Sequence, residues 1–507
     1  MYQAARRSDL QGQISKSFCI LPYNTKTFDS LSSNKFYHKT SYPKKIKGLD
    51  YTIFPIESTI EFNSKHPYGR NNGSLVRSRG FQTRLSTGFS VNYGPIDLQF
   101  QPELVWSQNK SYQGFPDSHP DSFWGNRYLR TWMRIDQPER YGEEDLTRVL
   151  TGQSHLNLNF WKLSAGISSE NLWWGPGREN TLLMTNNASG FPHLHFGTSS
   201  PISTPIGNLE IKLIGGKLIS SGFAPPAPSR GVDESWLQKI NPDWRYLNAS
   251  VLVWHPKWIN GLYLGTARSI LNYADSAKQN KEFFPLNSLF FREKEEGVND
   301  YTKDQIATIF GRWVFKEGNS EVYFEYGRAD ASWNLRDVLM SPEHSRAYLI
   351  GFSKLQKIGK RWFEVSMEVT HLEKSKSVTL RDEPGWYKNR GLRQGYTNYG
   401  EIIGAGIGTG SNSQMLQVAS VNGLNRLGIK FERIVNDNDF YYRRVYEVTT
   451  NSTGNWIDLA PGIFYTLDKK KLLINIDCQF VNSLNYQWVL DENKRNIYLS
   501  ARLLYRI

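Results

Sequence analysis

The chain has 507 residues, 39 % of them apolar and 14 % aromatic, and a formal charge of +13. No window approaches the roughly 18 consecutive apolar residues of a spanning helix, and two Cys exclude a disulfide scaffold or a Cys-rich metal site. Few apolar but many aromatic residues are foreign to a soluble α/β enzyme. They suit a membrane barrel, where half of each strand faces a polar interior and aromatic girdles mark both interfaces.

The opening MYQAARRSDLQ carries no secretory signal, and the longest early apolar run, Phe18-Cys19-Ile20-Leu21, falls far short of an h-region. Taken literally, this places the chain in the cytoplasm; a barrel reading requires a leader that was removed or lies upstream. Residues 1–50 read as neither strand nor clean amphipathic helix and are assigned to a periplasmic or lumenal plug segment. Residues 51–507 are assigned to the barrel. The first ascending strand is expected at Ile56–Phe62, leading to an outer loop at His66–Gly73.

From there, apolar residues alternate with polar ones, which marks half-buried strands. Ile96, Leu98, Phe100, Leu104 and Trp106 interleave with Asp97, Gln99, Gln101 and Glu103; Phe363, Val365, Met367 and Val369 with Glu364, Ser366, Glu368 and Thr370. Leu472, Ile474, Ile476, Cys478 and Phe480 do the same, and the chain ends on Ile497, Leu499, Ala501, Leu503, Tyr505 and Ile507. Tight turns are expected at 93–95, 160–162, 318–319, 358–359, 436–438 and 469–470. Long segments are expected at 107–127, 171–206, 271–304, 329–345, 372–397 and 483–494. Short turn against long loop is the outer-membrane pattern of periplasmic turns and extracellular loops. The regions 128–152, 207–244 and 398–423 stay ambiguous. Roughly 16 to 18 strands of the usual length fit, so the fold class is all-β, a transmembrane antiparallel up-and-down β-barrel.

Four constellations stand out. The stretch NLWWGPGRENTLLMTNNASGFPHL (171–194) pairs rings with amides and a guanidinium. Trp173 and Trp174 offer faces for sugar C–H stacking. Arg178, Asn180, Asn186 and Asn187 offer hydrogen bonds to hydroxyls or a charge for uronates. The competing reading is girdle tryptophans beside a loop anchored in the lumen. Arg328, Asp330, Asp337, Glu343, His344 and Arg346 form a second cluster, either a glycan or ion site or a salt-bridged network that stiffens its loop. Gly404–Gly410 fails the dinucleotide and Walker patterns and reads as a Gly-rich segment packed against the wall. His193 and His195 share a strand face but have no third metal ligand in register. The runs Lys44–Lys47 and Lys469–Lys471 read as solvated turns.

Several stretches resemble the Wzi capsule-assembly family, particularly its Bacteroidota-type branch: HPYGRNNGSLVRSRGFQTRLSTG (66–88), NYGPIDLQFQPEL (92–104), the 171–194 segment, TPIGNLEIKLIGGKL (204–218), EYGRADASW (325–333) with PEHSRAYLIG (342–351), and GYTNYGEIIGAGIGTGSNSQ (395–414). Arg70 and Asn72 stand where that pattern has Trp and Asp, and residues 1–50 lack the family's clear helical region. The resemblance implies a barrel of perhaps 18 strands in the bacterial outer membrane, its lumen blocked by inward loops and N-terminal helices. It implies lectin-like attachment of capsular or other exopolysaccharide at the cell surface, without catalysis.

On these grounds the candidate glycan-binding residues are Tyr68, Trp173, Trp174, Arg178, Asn180, Asn186, Asn187, Arg328, Asp330 and Arg346. No cofactor, metal or nucleic acid is expected. The expected partners are surface polysaccharide, outer-membrane lipid or lipopolysaccharide, and the polysaccharide export machinery. The alternatives are a porin or gated channel, a secretion accessory barrel, or a polysaccharide-modifying enzyme.

Overall fold

The computed structural model describes residues 2–22, 44–46, 48–227, 229–237, 241–279, 303–329, 339–375, 385–442 and 454–506. A helix, α1 (Tyr2–Leu10), precedes the strands. The first four strands each run in two halves: β1 through Leu49–Ile53 and Ile56–Asn63, β2 through Gly80–Ser86 and Phe89–Tyr93, β3 through Ile96–Phe100 and Glu103–Ser107, β4 through Leu146–Leu150 and His155–Phe160. Pro55 and Pro102 have no N–H for the ladder, and a Cβ on Gly88 would lie 2.0 Å from the Phe100 carbonyl oxygen. Breaks at these points follow directly.

The remaining strands are β5 (Leu163–Ser168), β6 (His193–Thr198, continued by Ile202–Thr204), β7 (Gly207–Leu218), β8 (Arg245–Pro256), β9 (Leu262–Tyr273), β10 (Lys303–Phe315) and β11 (Ser320–Ala329). After them come β12 (Arg346–Ile358), β13 (Arg361–His371), β14 (Asn412–Asn422), β15 (Asn425–Val435), β16 (Ile457–Asp468), β17 (Leu472–Leu484) and β18 (Lys494–Tyr505). Each pairs antiparallel with the next in the chain. β18 then pairs with β1, from Tyr498 opposite Asn63 to Tyr505 opposite Ile56, which closes eighteen strands into a barrel. Closure pairs each of these strands on both sides along the membrane-crossing stretch, as a membrane requires.

The period-2 pattern maps onto two faces. On β1, Glu57, Thr59 and Glu61 point inward and are buried, while Ile56 and Ile60 face out and are exposed. The outward Ile429 and Ile463 are 62 % and 60 % exposed, against 1 % for the inward Glu364. That inversion of the usual burial order is stable only when lipid covers the outside. The connections alternate as well. Tight hairpins use Gly94 at φ 58° and Asn319 at φ 46°, left-handed values that favour Gly and Asn. At the opposite end the strands are joined by the long segments 64–79, 108–145, 169–192, 219–244, 274–302, 330–345, 372–411, 436–456 and 485–493.

Four expectations change. The predicted tight turn at 436–438 lies at the long-loop end, where Asp437 caps Asn438–Phe440 by accepting from the Phe440 N–H. The expected loop 171–206 becomes strand from His193. Lys44–Ile46 is a short strand on Leu49–Tyr51 instead of a solvated turn. Finally, α1 is a helix that the residue pattern of 1–50 did not show, although the family resemblance implies one. Ala4 through Leu10 are all buried, against charged partners at Arg6, Arg7 and Asp9 and apolar clusters at Ala4 and Leu10, so a helix enclosed on every side shows no one-sided apolar stripe. The Gly404–Gly410 segment meets the inward loop closely, since a Cβ on Gly406 would lie 2.4 Å from Asn187 Oδ1 and one on Gly404 2.6 Å from the Leu182 carbonyl oxygen.

Candidate functional site

The inward loop 169–192 is held by carboxylates that strand parity aims into the lumen. Glu321, Tyr323 and Glu325 alternate inward along β11, and Glu364, Ser366, Glu368 and Thr370 along β13. The N–H groups of Arg178, Glu179 and Asn180 donate to Glu368 at 2.7, 3.1 and 2.8 Å. The Leu182 N–H donates to Glu325 at 3.1 Å. Arg178 donates to Glu364 at 2.5 Å and to Gln3 of α1 at 2.9 Å. Burial lowers the pKa of Arg178, but Glu364 and Glu321 outweigh it and raise it above the ordinary arginine value. Helix α1 joins the same network: Arg6 bonds Glu321 at 2.7 Å, Arg7 bonds Glu364 at 3.3 Å, and Asp9 pairs with Arg312 at 2.8 Å.

The loop also carries its own apolar core. Leu172, Trp174, Leu182, Leu183 and Met184 cluster with Tyr387, Ile402 and Ile403 from the 372–411 connection. The Tyr387 hydroxyl donates to the Leu182 carbonyl at 2.7 Å, and the Asn187 amide donates to the Ile402 carbonyl at 2.9 Å. Trp173 and Trp174 pair with Leu21 and Ile20 as a two-residue ladder. Leu21, Gly177 and Asn186 reach one internal cavity while Trp174 does not.

That cavity has a volume of about 500 Å³ and lies between α1, the plug loop, the 66–73 loop and β15, β17 and β18. Of the residues singled out from sequence, Tyr68, Trp173, Arg178 and Asn186 line it. Trp174, Asn180 and Asn187 are buried elsewhere in the plug. Asn180 is committed to Glu368 and Thr370, and Asn187 accepts from Arg77 at 3.1 Å. Arg328 and Arg346 are cross-strand partners at the long-loop ends of β11 and β12, apart from the cavity. Arg346 sits over the Tyr348 ring at 5.5 Å, and Tyr348 stacks on His371 at 4.9 Å. Asp330 and Asp337 lie outside the described residues. His193 and His195 do share the inner face, with ring centroids 6.3 Å apart, but bond Phe191 and Asn157 respectively. Among the described residues no group of three or more His, Cys, Asp or Glu could hold a metal ion.

Sequence reasoning missed the wall of the cavity. Glu432, Asp477, Gln479 and Tyr498 all occupy inward positions. Strand parity would have found them had polar inward residues been read as lining. The Tyr68 hydroxyl donates to Glu432 at 2.7 Å, and the Tyr498 hydroxyl to Glu61 at 2.9 Å, which fixes both rings. Their centroids lie 5.6 Å apart, edge to face.

A closed barrel with an apolar outside and a lumen filled by its own chain is an outer-membrane barrel built around a plug. The family model for the capsule assembly protein Wzi matches residues 62–440, and the chain belongs to that family. Wzi of Escherichia coli, an outer-membrane protein involved in group 1 capsule assembly and described as a carbohydrate-binding β-barrel, has a similar structure. The two are 11 % identical with a TM-score of 0.62, over 100 % of this chain and 97 % of that one. OprB of Pseudomonas putida gives a TM-score of 0.39 at 9 % identity, over 90 % and 94 % of the two chains. OccAB4 of Acinetobacter baumannii gives 0.41 at 8 % identity, over 93 % and 99 %. No curated protein matches the chain.

Proposed function

We propose that this protein is a non-catalytic, lectin-like barrel that attaches or assembles capsular or other exopolysaccharide at the bacterial surface. Its long loops face the exterior and its short turns the periplasm, the usual orientation of such barrels. The observation that carries the reading is the plug: loop 169–192 and α1 fill the lumen through buried hydrogen bonds and ion pairs, in a chain whose family is named for capsule assembly. A plugged lumen suits a holder of polymer better than a conduit for solutes. The apolar belt makes outer-membrane lipid and lipopolysaccharide its surroundings, and the polysaccharide export machinery is the natural source of its ligand.

The test is to delete the gene and measure cell-attached against medium-released polysaccharide. Release with total synthesis unchanged is the expected result. Unchanged attachment overturns the reading and brings the channel alternative forward, for which single-channel conductance of the purified barrel is decisive.

A further inference from the structure

The cavity beneath the plug differs from the rest of this basic chain in its charge balance. Every cation on its lining already has a carboxylate. Arg70 pairs with Glu432, Lys430 with Asp477, Arg502 with Glu57, Arg178 with Glu364 and Arg6 with Glu321. Glu179, also on the lining, adds a further carboxylate, which accepts from Gln417 at 2.7 Å. A uronate, phosphate or sulfate entering here would face carboxylates and cations whose charge is already paired, and breaking a buried pair is costly.

What the wall leaves open is a set of single donors and acceptors on groups whose charges are already balanced. Gln479 is 3 % exposed, lines the cavity, and its amide Nε2 has no hydrogen-bond partner. Two residues away on the same inward face of β17, Asp477 Oδ1 also lacks one. Across the cavity, Asn71 Oδ1 is a third buried atom without a partner. Buried polar atoms of this kind normally find a partner. Arg6 Nη2 and Arg70 Nε, on lining arginines whose charge is already paired, are two further buried donors without a hydrogen-bond partner. Unmet donors beside the unmet acceptors Asp477 Oδ1 and Asn71 Oδ1 call for a ligand that both accepts and donates, which is what sugar hydroxyls do. The rings of Tyr68, Trp173 and Tyr498 supply apolar surface beside them. The volume, about 500 Å³, falls within the roughly 300–1,000 Å³ of small-ligand sites.

Among the described residues, the cavity opens toward the short-turn end. Along β18 the lining runs from Tyr498 through Ser500 to Arg502, toward the end of the strand that meets the short turns. The Arg502 side chain is 50 % exposed although it lies on the inward face.

We infer that this cavity is an inner binding site for an uncharged sugar residue, entered from the short-turn end of the barrel. The inference rests on the polysaccharide reading for its ligand class and adds two features to it: neutrality, and a site on the side away from the long loops.

The experiment uses the full chain purified in detergent, with neutral hexose disaccharides and the matching uronic-acid disaccharides as probes, followed by calorimetry. Binding of at least one neutral probe, with tenfold or weaker affinity for its uronate counterpart, is expected. Gln479→Leu, of similar volume but lacking the donor, should weaken neutral binding about tenfold, the worth of roughly one hydrogen bond. Ser500→Trp, near the mouth, should abolish it. Both variants are first checked for heat-modifiable migration on gels, so that loss of binding is not loss of the barrel. Preference for the acidic probe, absence of binding by the wild-type chain, or unchanged binding in both variants overturns the inference. The polysaccharide-release assay on the deletion strain is independent of these outcomes. Attachment lost in cells with no neutral binding in vitro refutes the inner site alone; neutral binding with attachment intact refutes the attachment reading alone.

Discussion

Glu368→Ala removes the acceptor that holds the turn of the plug. In the folded protein its two carboxylate oxygens take the N–H groups of Arg178, Glu179 and Asn180 at 2.7, 3.1 and 2.8 Å, and the Tyr323 hydroxyl at 3.0 Å. All four donors are deprived at once, in a place with little water to replace the acceptor. Hydrogen bonds to a charged group contribute about 1.5–3 kcal/mol each. Deleting the carboxylate also removes the cost of burying it, which offsets part of the sum. A net loss of about 4 kcal/mol for local opening of the plug is the result. The assay is amide hydrogen exchange by mass spectrometry on peptides covering 176–184, with strand peptides as internal reference. Opening destabilised by about 4 kcal/mol speeds exchange of these amides on the order of a thousandfold, while β10 to β14 stay protected. Glu368→Gln keeps one carbonyl acceptor and should fall between. A change of less than tenfold in the alanine variant would refute the reasoning, because the apolar cluster around Trp174 would then hold the plug without the carboxylate.

Three further outcomes are expected. Arg312→Met leaves Asp9 unpaired and takes one of the two arginines from Glu321; stranding buried charge costs about 3–5 kcal/mol, so α1 should become sensitive to trypsin at Arg6 and Arg7, and continued resistance would count against the network. Ile429→Arg places a charge in the middle of the outward face of β15, where Ile429 is 62 % exposed, and should destabilise folding into lipid vesicles by about 2–4 kcal/mol; an effect near zero would place that face outside the hydrocarbon. In the long-loop cap, burial pushes the Asp437 carboxyl up, but Lys388 and Arg127 outweigh it and hold it below the usual carboxylate range. Its stabilisation is therefore complete above the unfolded-state value and lost as pH falls through the lower folded-state value. Tryptophan fluorescence of the cap, where Trp124, Trp132 and Trp488 cluster with Phe440, should report loosening in that acidic window, and Asp437→Asn should abolish this part of the pH dependence.

The barrel wall was legible because lipid and lumen impose opposite demands on neighbouring residues. Glu364 and Val365, or Asp477 and Cys478, could be assigned to opposite faces from order alone. Helix α1 was not legible from periodicity, since it is buried all round: Arg6, Arg7 and Asp9 meet charged partners while Ala4 and Leu10 meet apolar clusters, so burial leaves no single stripe. The segment 171–194 announced itself by composition, yet which of its side chains meet a cavity and which meet the protein depends on partners far along the chain. Arg178 looks like a sugar-facing guanidinium until Glu364, 186 residues away, is placed beside it. Gln479 is the converse: an unremarkable inward polar residue in a strand, whose interest lies in the partner it lacks.

The plug also bears on mechanics. A hollow tube under sideways load ovalises, and its hairpins slide. Here α1 and the loop 169–192 cross the interior and fasten to β10, β11 and β13 at several heights, through Arg312, Glu321, Glu325, Glu364 and Glu368. These contacts act as spokes. A drag force applied at the long-loop end is shared around the circumference instead of being concentrated on one hairpin, and the wall keeps its cross-section under tension that would flatten an empty barrel of the same strand number.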